Sequence, residues 1–402
     1  MTSIKKTNEF VFQTYSRQGK AFVKGEGMTL VDEEGKVYTD FLAGIAVCNL
    51  GHCHPEITRA IEHQARTLVH VSNLFYTAPQ ADLAAALVEK SFADRVFFSN
   101  SGAEANEAAI KLARRYFQAK GNKTRYKIIT MEQSFHGRTM ATLSATGQDK
   151  IKNGFYPLLE GFIHVPFNDF EALKKVLDDT VAAVMLEPIQ GEGGVIPADS
   201  TYLSKVRDLC NETGTLLIFD EIQTGMGRCG TLFAHELYGV TPDIMTLAKA
   251  LANGIPIGAM LATQTAAEGF DFGSHGSTFG GTPLATAAAL AVVNIISDTA
   301  FLEAVVEKGE YFRSKLRELK EKHPRILDVR GKGLLVGMEI DIDTDIDTDI
   351  GENKNAGFFV EKCFKKGFII NGIQDKVLRF APPLIVEKTE IDRLVAVLDS
   401  LF

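Results

Sequence analysis

The chain is predicted to be an α/β protein: a mainly parallel sheet flanked by helices, with a smaller α+β domain beside it. Three observations carry this. Across residues 55–263 short apolar runs alternate with helical patterns, as in layered βα units. The runs at 181–186 and 216–219 are almost wholly apolar, which suits strands covered on both faces. The length, 402 residues, exceeds one small core, so one large and one smaller domain are expected.

In chain order, residues 1–54 show strand and turn signals between Phe22 and Phe41, with a turn at Asp32-Glu-Glu-Gly35, and are expected to join the smaller domain. Residues 55–290 form the large domain. Its candidate strands are 96–98, 127–130, 181–186, 216–219, 244–247 and 258–262, and 104–118 has helical spacing. Residues 291–402 form the small domain, reached through a helix-rich stretch from Pro283. Within it, residues 341–350 are a near-tandem acidic repeat. A calcium loop needs Gly at its sixth position, where this chain has Ile346, so a strand or hairpin with one solvated face is expected.

Composition narrows the function. With 45% hydrophobic and 23% charged residues and a net charge of −8, the chain is not built for a polyanion partner. No apolar run reaches the length of a membrane span. Lys5 and Lys6 have no apolar core behind them, so a secretory signal is not expected. Five cysteines, odd in number and without CxxC spacing, suit a reducing cytoplasm.

Four segments carry candidate chemistry. In Ser99-Asn-Ser-Gly-Ala-Glu104, Ser101 and Glu104 read as a capping box that opens a helix. The N–H groups of Gly102 and Ala103 are then free for a phosphate. Capping alone would explain Ser101 equally well. Asp220 follows an apolar run, at the carboxyl end where open α/β sheets build their sites; Lys249 repeats the arrangement 29 residues later, about one βαβ unit. A partly desolvated lysine there is a usable amine nucleophile. An aspartate facing it would hold the protonated ring nitrogen of pyridoxal phosphate. A buried Asp–Lys ion pair is the competing reading of these two residues. Phe135-His-Gly-Arg138 offers an aromatic face and a guanidinium, and Gly276-Ser-Thr-Phe-Gly-Gly281 a loop that could complete a phosphate site. Two other motifs are weak. Adjacent ligands on a turn at Cys48–His54 suit a tight turn into a helix better than zinc. Arg330–Gly337 is GxGxxxG running into a strand pattern, poor support for NAD.

As an ordered set, these segments resemble the class III aminotransferases of the type I pyridoxal-phosphate fold. Further matching stretches are Glu187-Pro-Ile-Gln-Gly-Glu-Gly-Gly194, Phe219-Asp-Glu-Ile-Gln-Thr-Gly-Met-Gly-Arg228 and Leu378-Arg-Phe-Ala-Pro-Pro383, so the likeness spans nearly the whole chain. The resemblance implies that Lys249 is the Schiff-base lysine and proton shuttle. It implies that Gly102 and Ala103 hold the cofactor phosphate, with Ser101 and with Thr278 of a partner subunit. Phe135 would stack on the ring, Asp220 pair with its nitrogen and Gln223 reach its hydroxyl oxygen. Arg138 and Arg379 would grip substrate carboxylates, with Ser277 and Tyr15 nearby and Glu192 switching on and off Arg379. A shared site implies a symmetric dimer.

The implied reaction takes N2-acetyl-L-ornithine and 2-oxoglutarate to N-acetyl-L-glutamate 5-semialdehyde and L-glutamate, in arginine biosynthesis. Ornithine, succinylornithine, succinyl-diaminopimelate and 4-aminobutyrate are rival amino donors. Ile45, where ornithine-using relatives typically carry tyrosine, tilts the expectation towards the acetylated donor. A cofactor-binding regulator without turnover has no need for two carboxylate clamps.

Overall fold

The computed structural model describes residues 1–342 and 354–402. The chain opens with β1 (Phe22–Glu26), β2 (Thr29–Asp32) and β3 (Val37–Asp40), an antiparallel meander. The turn expected at 32–35 joins β2 to β3. Asp32 Oδ1 accepts from the N–H groups of Glu34 and Lys36, and Gly35 takes φ +82°.

Seven strands build the central sheet: β4 (Arg95–Ser99), β5 (Lys127–Met131), β6 (Phe162–Val165), β7 (Val181–Leu186), β8 (Leu216–Asp220), β9 (Ile244–Leu247) and β10 (Gly258–Ala262). Their order is β4-β10-β9-β8-β7-β5-β6. Only β10 runs antiparallel to its neighbours. Six of the strands match the apolar runs read from sequence; β6 was not among them. Along β8, Leu216 and Ile218 face the helix Gly102–Ala119, while Leu217 and Phe219 pack with the helix Ser200–Thr213 on the other side. Full burial of each such side chain contributes roughly 1.5–3 kcal/mol. The helix Gly102–Ala119 meets the sheet through Ala105, Ala108, Ala109, Leu112 and Ala113, so small residues let it lie close.

The remaining chain supplies β11 (Ile326–Lys332), β12 (Leu335–Ile340), β13 (Phe368–Ile369), β14 (Asn371–Ile373) and β15 (Val377–Phe380). Strands β11, β12, β15 and β14 form an antiparallel sheet in that order, and β13 adds in parallel to β3. The N-terminal meander is therefore extended by a C-terminal strand. The GxGxxxG stretch is the β11–β12 hairpin, with Gly331 and Gly333 at positive φ, and opens no helix. At the Cys48–His54 turn, Pro55 opens the helix Pro55–Thr67 and His52 Nε2 lies 2.9 Å from Asp40 Oδ2. Residues 341–342 follow β12 without strand structure; most of the acidic repeat lies outside the described residues. Among the described residues no single helix is long and apolar enough to cross a membrane.

Candidate active site

Three chain segments end or begin on one edge of the central sheet, and the site is built where they meet. Asp220 is the last residue of β8, Lys249 lies two residues beyond β9, and the helix Gly102–Ala119 starts three residues after β4. A cavity of about 390 Å³ opens there. It is lined by Ser101, Gly102, Ala103, Phe135, Arg138, Glu192, Asp220, Gln223 and Lys249, together with His136, Glu187 and Ile222. Nine of the thirteen residues singled out from sequence thus share one cavity wall.

At one end, Ser101 caps its helix, its Oγ accepting from Glu104 N at 3.2 Å. The reciprocal bond differs from the expected capping box: Glu104 Oε2 accepts from Asn100 N at 2.6 Å, one residue before the cap. No acceptor among the described residues meets the N–H groups of Gly102 or Ala103. With the helix dipole behind them, these are the donors a phosphate needs. A Cβ on Gly102 would come within 2.7 Å of Ile222 Cδ1, so the cup closes without side-chain bulk.

Across the cavity Asp220, 4% exposed, is held on both oxygens. Oδ2 accepts from Asn106 Nδ2 at 2.7 Å and faces His136 Nδ1 at 2.8 Å, while Oδ1 accepts from Ile222 N at 3.1 Å. Asn106 and His136 escaped the sequence reading. The signal was present: Asn106 is one helical turn beyond Gly102 on the same face, and His136 adjoins Phe135.

Lys249 sits at φ +39°, a left-handed conformation unusual for a lysine, and opens a short 3₁₀ turn, Lys249–Ala252. Its amine has no hydrogen-bond or ion-pair partner among the described residues. Burial, opposed by the charge of Glu192, lowers its pKa to about 8. The Asp220–Lys249 ion pair of the competing reading is thus not formed; Asp220 is engaged by Asn106, His136 and Ile222.

Phe135 presents its ring to the cavity, its backbone N–H bound to Glu187 Oε1 at 2.9 Å. Burial, only partly offset by His136, raises the Glu187 carboxyl above the usual range. The Arg138 guanidinium lies exposed at the rim, 5.8 Å from the Phe135 ring centroid. Arg379, in β15 and 1% exposed, reaches the cavity's wall from behind. Its Nη1 is 2.5 Å from Glu192 Oε1 and 3.3 Å from Gln223 Oε1, and its Nη2 donates to Asn371 Oδ1 at 2.7 Å. Burial alone would raise the Glu192 carboxyl, but the charges of Arg379 and Lys249 and the hydrogen bonds from Arg379 and Gln223 together lower it.

Three residues lie apart. Tyr15 is 72% exposed and outside the cavity. Ser277 Oγ accepts from Asn100 Nδ2 at 3.2 Å, on the outer side of the cup. Thr278 is exposed on the same loop and does not line this chain's own cavity.

A phosphate cup, an aromatic wall, an anchored carboxylate and a free amine in one cavity fit pyridoxal phosphate, and the cup's unpaired N–H groups give that fit its physical test. The family Aminotransferase class-III matches residues 14–402, and the chain belongs to it; this family is pyridoxal-phosphate-dependent and the protein is a transaminase. The chain is similar to the acetylornithine aminotransferase of Methanocaldococcus jannaschii, 52% identical over 98% of this chain and 96% of that one. It is also similar to the acetylornithine aminotransferase of Caldanaerobacter subterraneus, 51% identical over 98% and 97%. Among solved structures, the ornithine aminotransferase of Toxoplasma gondii superposes with a TM-score of 0.92 at 34% identity, covering 98% of this chain and 93% of that one. The N-acetylornithine aminotransferase of Stenotrophomonas maltophilia gives 0.84 at 37% identity, covering 99% and 97%.

Proposed function

We propose that the protein transfers the terminal amino group of N2-acetyl-L-ornithine to 2-oxoglutarate, yielding N-acetyl-L-glutamate 5-semialdehyde and L-glutamate, a step of arginine biosynthesis. Relatives of that name at 45–52% identity over 96% or more of the chain support the donor. The observation that carries the reading is the Glu192–Arg379 pair. A ping-pong transaminase must take two unlike substrates in one pocket. With Glu192 on it, Arg379 is neutralised, and a donor entering by its terminal amine meets one free clamp, Arg138. When Glu192 leaves, Arg379 is available to the α-carboxylate of glutamate, and Arg138 to the other end.

Pyridoxal phosphate, when bound, supplies the carbonyl carbon that takes up the amino group and a ring that accepts electrons from the reacting carbon. The chain's residues do the rest. Gly102 and Ala103 would hold the phosphate by their N–H groups, Phe135 would cover the ring, Gln223 would serve its oxygen and Asp220 would accept from the ring nitrogen. Lys249 Nζ would take the proton from the amine-bearing carbon and return it to the carbon on the other side of the nitrogen.

The working unit in this reading is a homodimer in the cytoplasm. Its support is an exposed apolar surface: Leu74, Phe75, Tyr76 and Phe279 are all more than half exposed. Asn73 Nδ2 ties the two segments together by donating to Ser277 O and Gly280 O. Thr278 lies on that surface, where a second copy would receive it. All five cysteines are free, which suits a reducing compartment. The division into 1–54 with 291–402 as small domain and 55–290 as large domain is supported by the pairing of β3 with β13. A steady-state panel of acetylornithine, succinylornithine, ornithine, succinyl-diaminopimelate and 4-aminobutyrate tests the substrate. Acetylornithine should have the highest kcat/KM; a higher value for ornithine or 4-aminobutyrate contradicts the reading.

A further inference from the structure

Behind the cavity, three buried side chains form a line that ends on Asp220. Thr246 Oγ donates to Asn106 Oδ1 at 2.7 Å, and Asn106 Nδ2 donates to Asp220 Oδ2 at 2.7 Å and to the His136 carbonyl at 2.8 Å. Thr246 and Asn106 are both 0% exposed. The backbone sets up the line. Thr246 is the register partner of Asp220 across β8 and β9, so both point to the same face of the sheet. Asn106 descends onto that face one turn into the helix that opens at Gly102.

The orientation of the Asn106 amide follows from its neighbours. One end meets two acceptors, a carboxylate and a carbonyl, which only the NH₂ group can serve; the other end is then the oxygen, which takes the Thr246 hydroxyl proton. A polar side chain at this depth is unnecessary for packing, because the helix's other buried residues nearby, Ala105, Ala109 and Ile110, are apolar. Burying an amide is unfavourable unless its bonds are made, so its presence requires another account.

We infer that Asn106, locked by Thr246, is a positioning residue that presents Asp220 to the cofactor's ring nitrogen as an accepting carboxylate. With His136, Asn106 occupies Oδ2, and Ile222 N–H takes one side of Oδ1. Oδ1 has no other partner among the described residues, and Asp220 lines the cavity. The inference rests on the proposed pairing of Asp220 with the ring nitrogen.

The test uses full-length apoenzyme and two cofactors: pyridoxal phosphate, and its analogue with C–H in place of the ring nitrogen. Dissociation constants are measured for the wild type and for Asn106→Ala, Thr246→Val and Thr246→Ser, with circular dichroism verifying the fold. The wild type should bind pyridoxal phosphate more tightly than the analogue. Asn106→Ala and Thr246→Val should weaken pyridoxal phosphate by about tenfold or more while moving the analogue by less than about twofold, as loss of a charge-assisted bond requires. Thr246→Ser should behave as wild type. Equal weakening of both cofactors, or no weakening of either, overturns the inference. If Asn106→Ala does not fold, Thr246→Val, which keeps the volume, decides alone. A wild type that does not distinguish the two cofactors overturns instead the pairing of Asp220 itself.

Discussion

Arg379 is almost wholly buried, and its charge is answered by one carboxylate, Glu192, 2.5 Å away. The guanidinium proposed as a substrate clamp is therefore held neutralised by a carboxylate that itself lines the cavity. Asn371, the register partner of Arg379 across β14 and β15, steadies the other guanidinium nitrogen.

Removing the cover should separate the two half-reactions. Glu192→Ala is expected to slow the acetylornithine half-reaction about tenfold or more, equivalent to about 1.4 kcal/mol. The glutamate half-reaction, which uses a bare Arg379, should change by less than about threefold. Single-turnover absorbance with each donor measures both; equal losses would contradict the switch.

Lysine 249 gives a pH prediction. Its amine attacks a carbonyl only when neutral, and its pKa is lowered to about 8. Capture of pyridoxal phosphate by apoenzyme should therefore quicken as pH rises towards 8 and level off above it. Glu192 acts to hold that pKa up, so Glu192→Gln should move the midpoint to lower pH. Stopped-flow capture rates between about pH 6 and 11 (roughly the range spanning the shifted and ordinary lysine values) check both; a midpoint near the ordinary lysine value would count against a desolvated amine.

At the proposed phosphate cup, a side chain on Gly102 would crowd Ile222. In Gly102→Ala the new methyl would press on Ile222, and pyridoxal phosphate affinity should fall by about tenfold or more, read by equilibrium titration. Unchanged affinity would show that the cup lies elsewhere.

Stability has its own test in Arg228, fully buried and in no ion pair among the described residues. Its guanidinium donates to the carbonyls of Leu334 and Pro382 and to Asn49, tying the N-terminal and C-terminal segments to the loop after β8. Arg228→Ala would leave two buried carbonyls without donors, a loss of about 2–5 kcal/mol. Apoenzyme thermal unfolding should show a clearly lower transition temperature, and an unchanged one would contradict this role.

Most of the sheet was legible because its strands are apolar on both faces; β6, Phe162-Ile-His-Val165, is short and half-covered and gave no such run. Asp220 and Lys249 were legible because each follows an apolar strand directly. Asn106, His136 and Thr246 were not, because their meeting depends on the register of β8 with β9 and on which helix face turns inward. Spacing puts Asn106 one turn beyond Gly102 and His136 beside Phe135, but it does not contain their meeting at Asp220. The capping of Ser101 was legible, but not that Glu104 would reach past it to Asn100. Tyr15 was tied to the site only by resemblance, Thr278 also by its loop 276–281, and neither lines the cavity of its own chain.

The central claim is that the Lys249 amine carries pyridoxal phosphate. Protein incubated with pyridoxal phosphate, reduced with borohydride and digested should yield one modified peptide by mass spectrometry, with the added mass on Lys249. Before reduction the sample should absorb near 420 nm, roughly where such lysine imines do. A modification on another lysine, or none, would contradict the account.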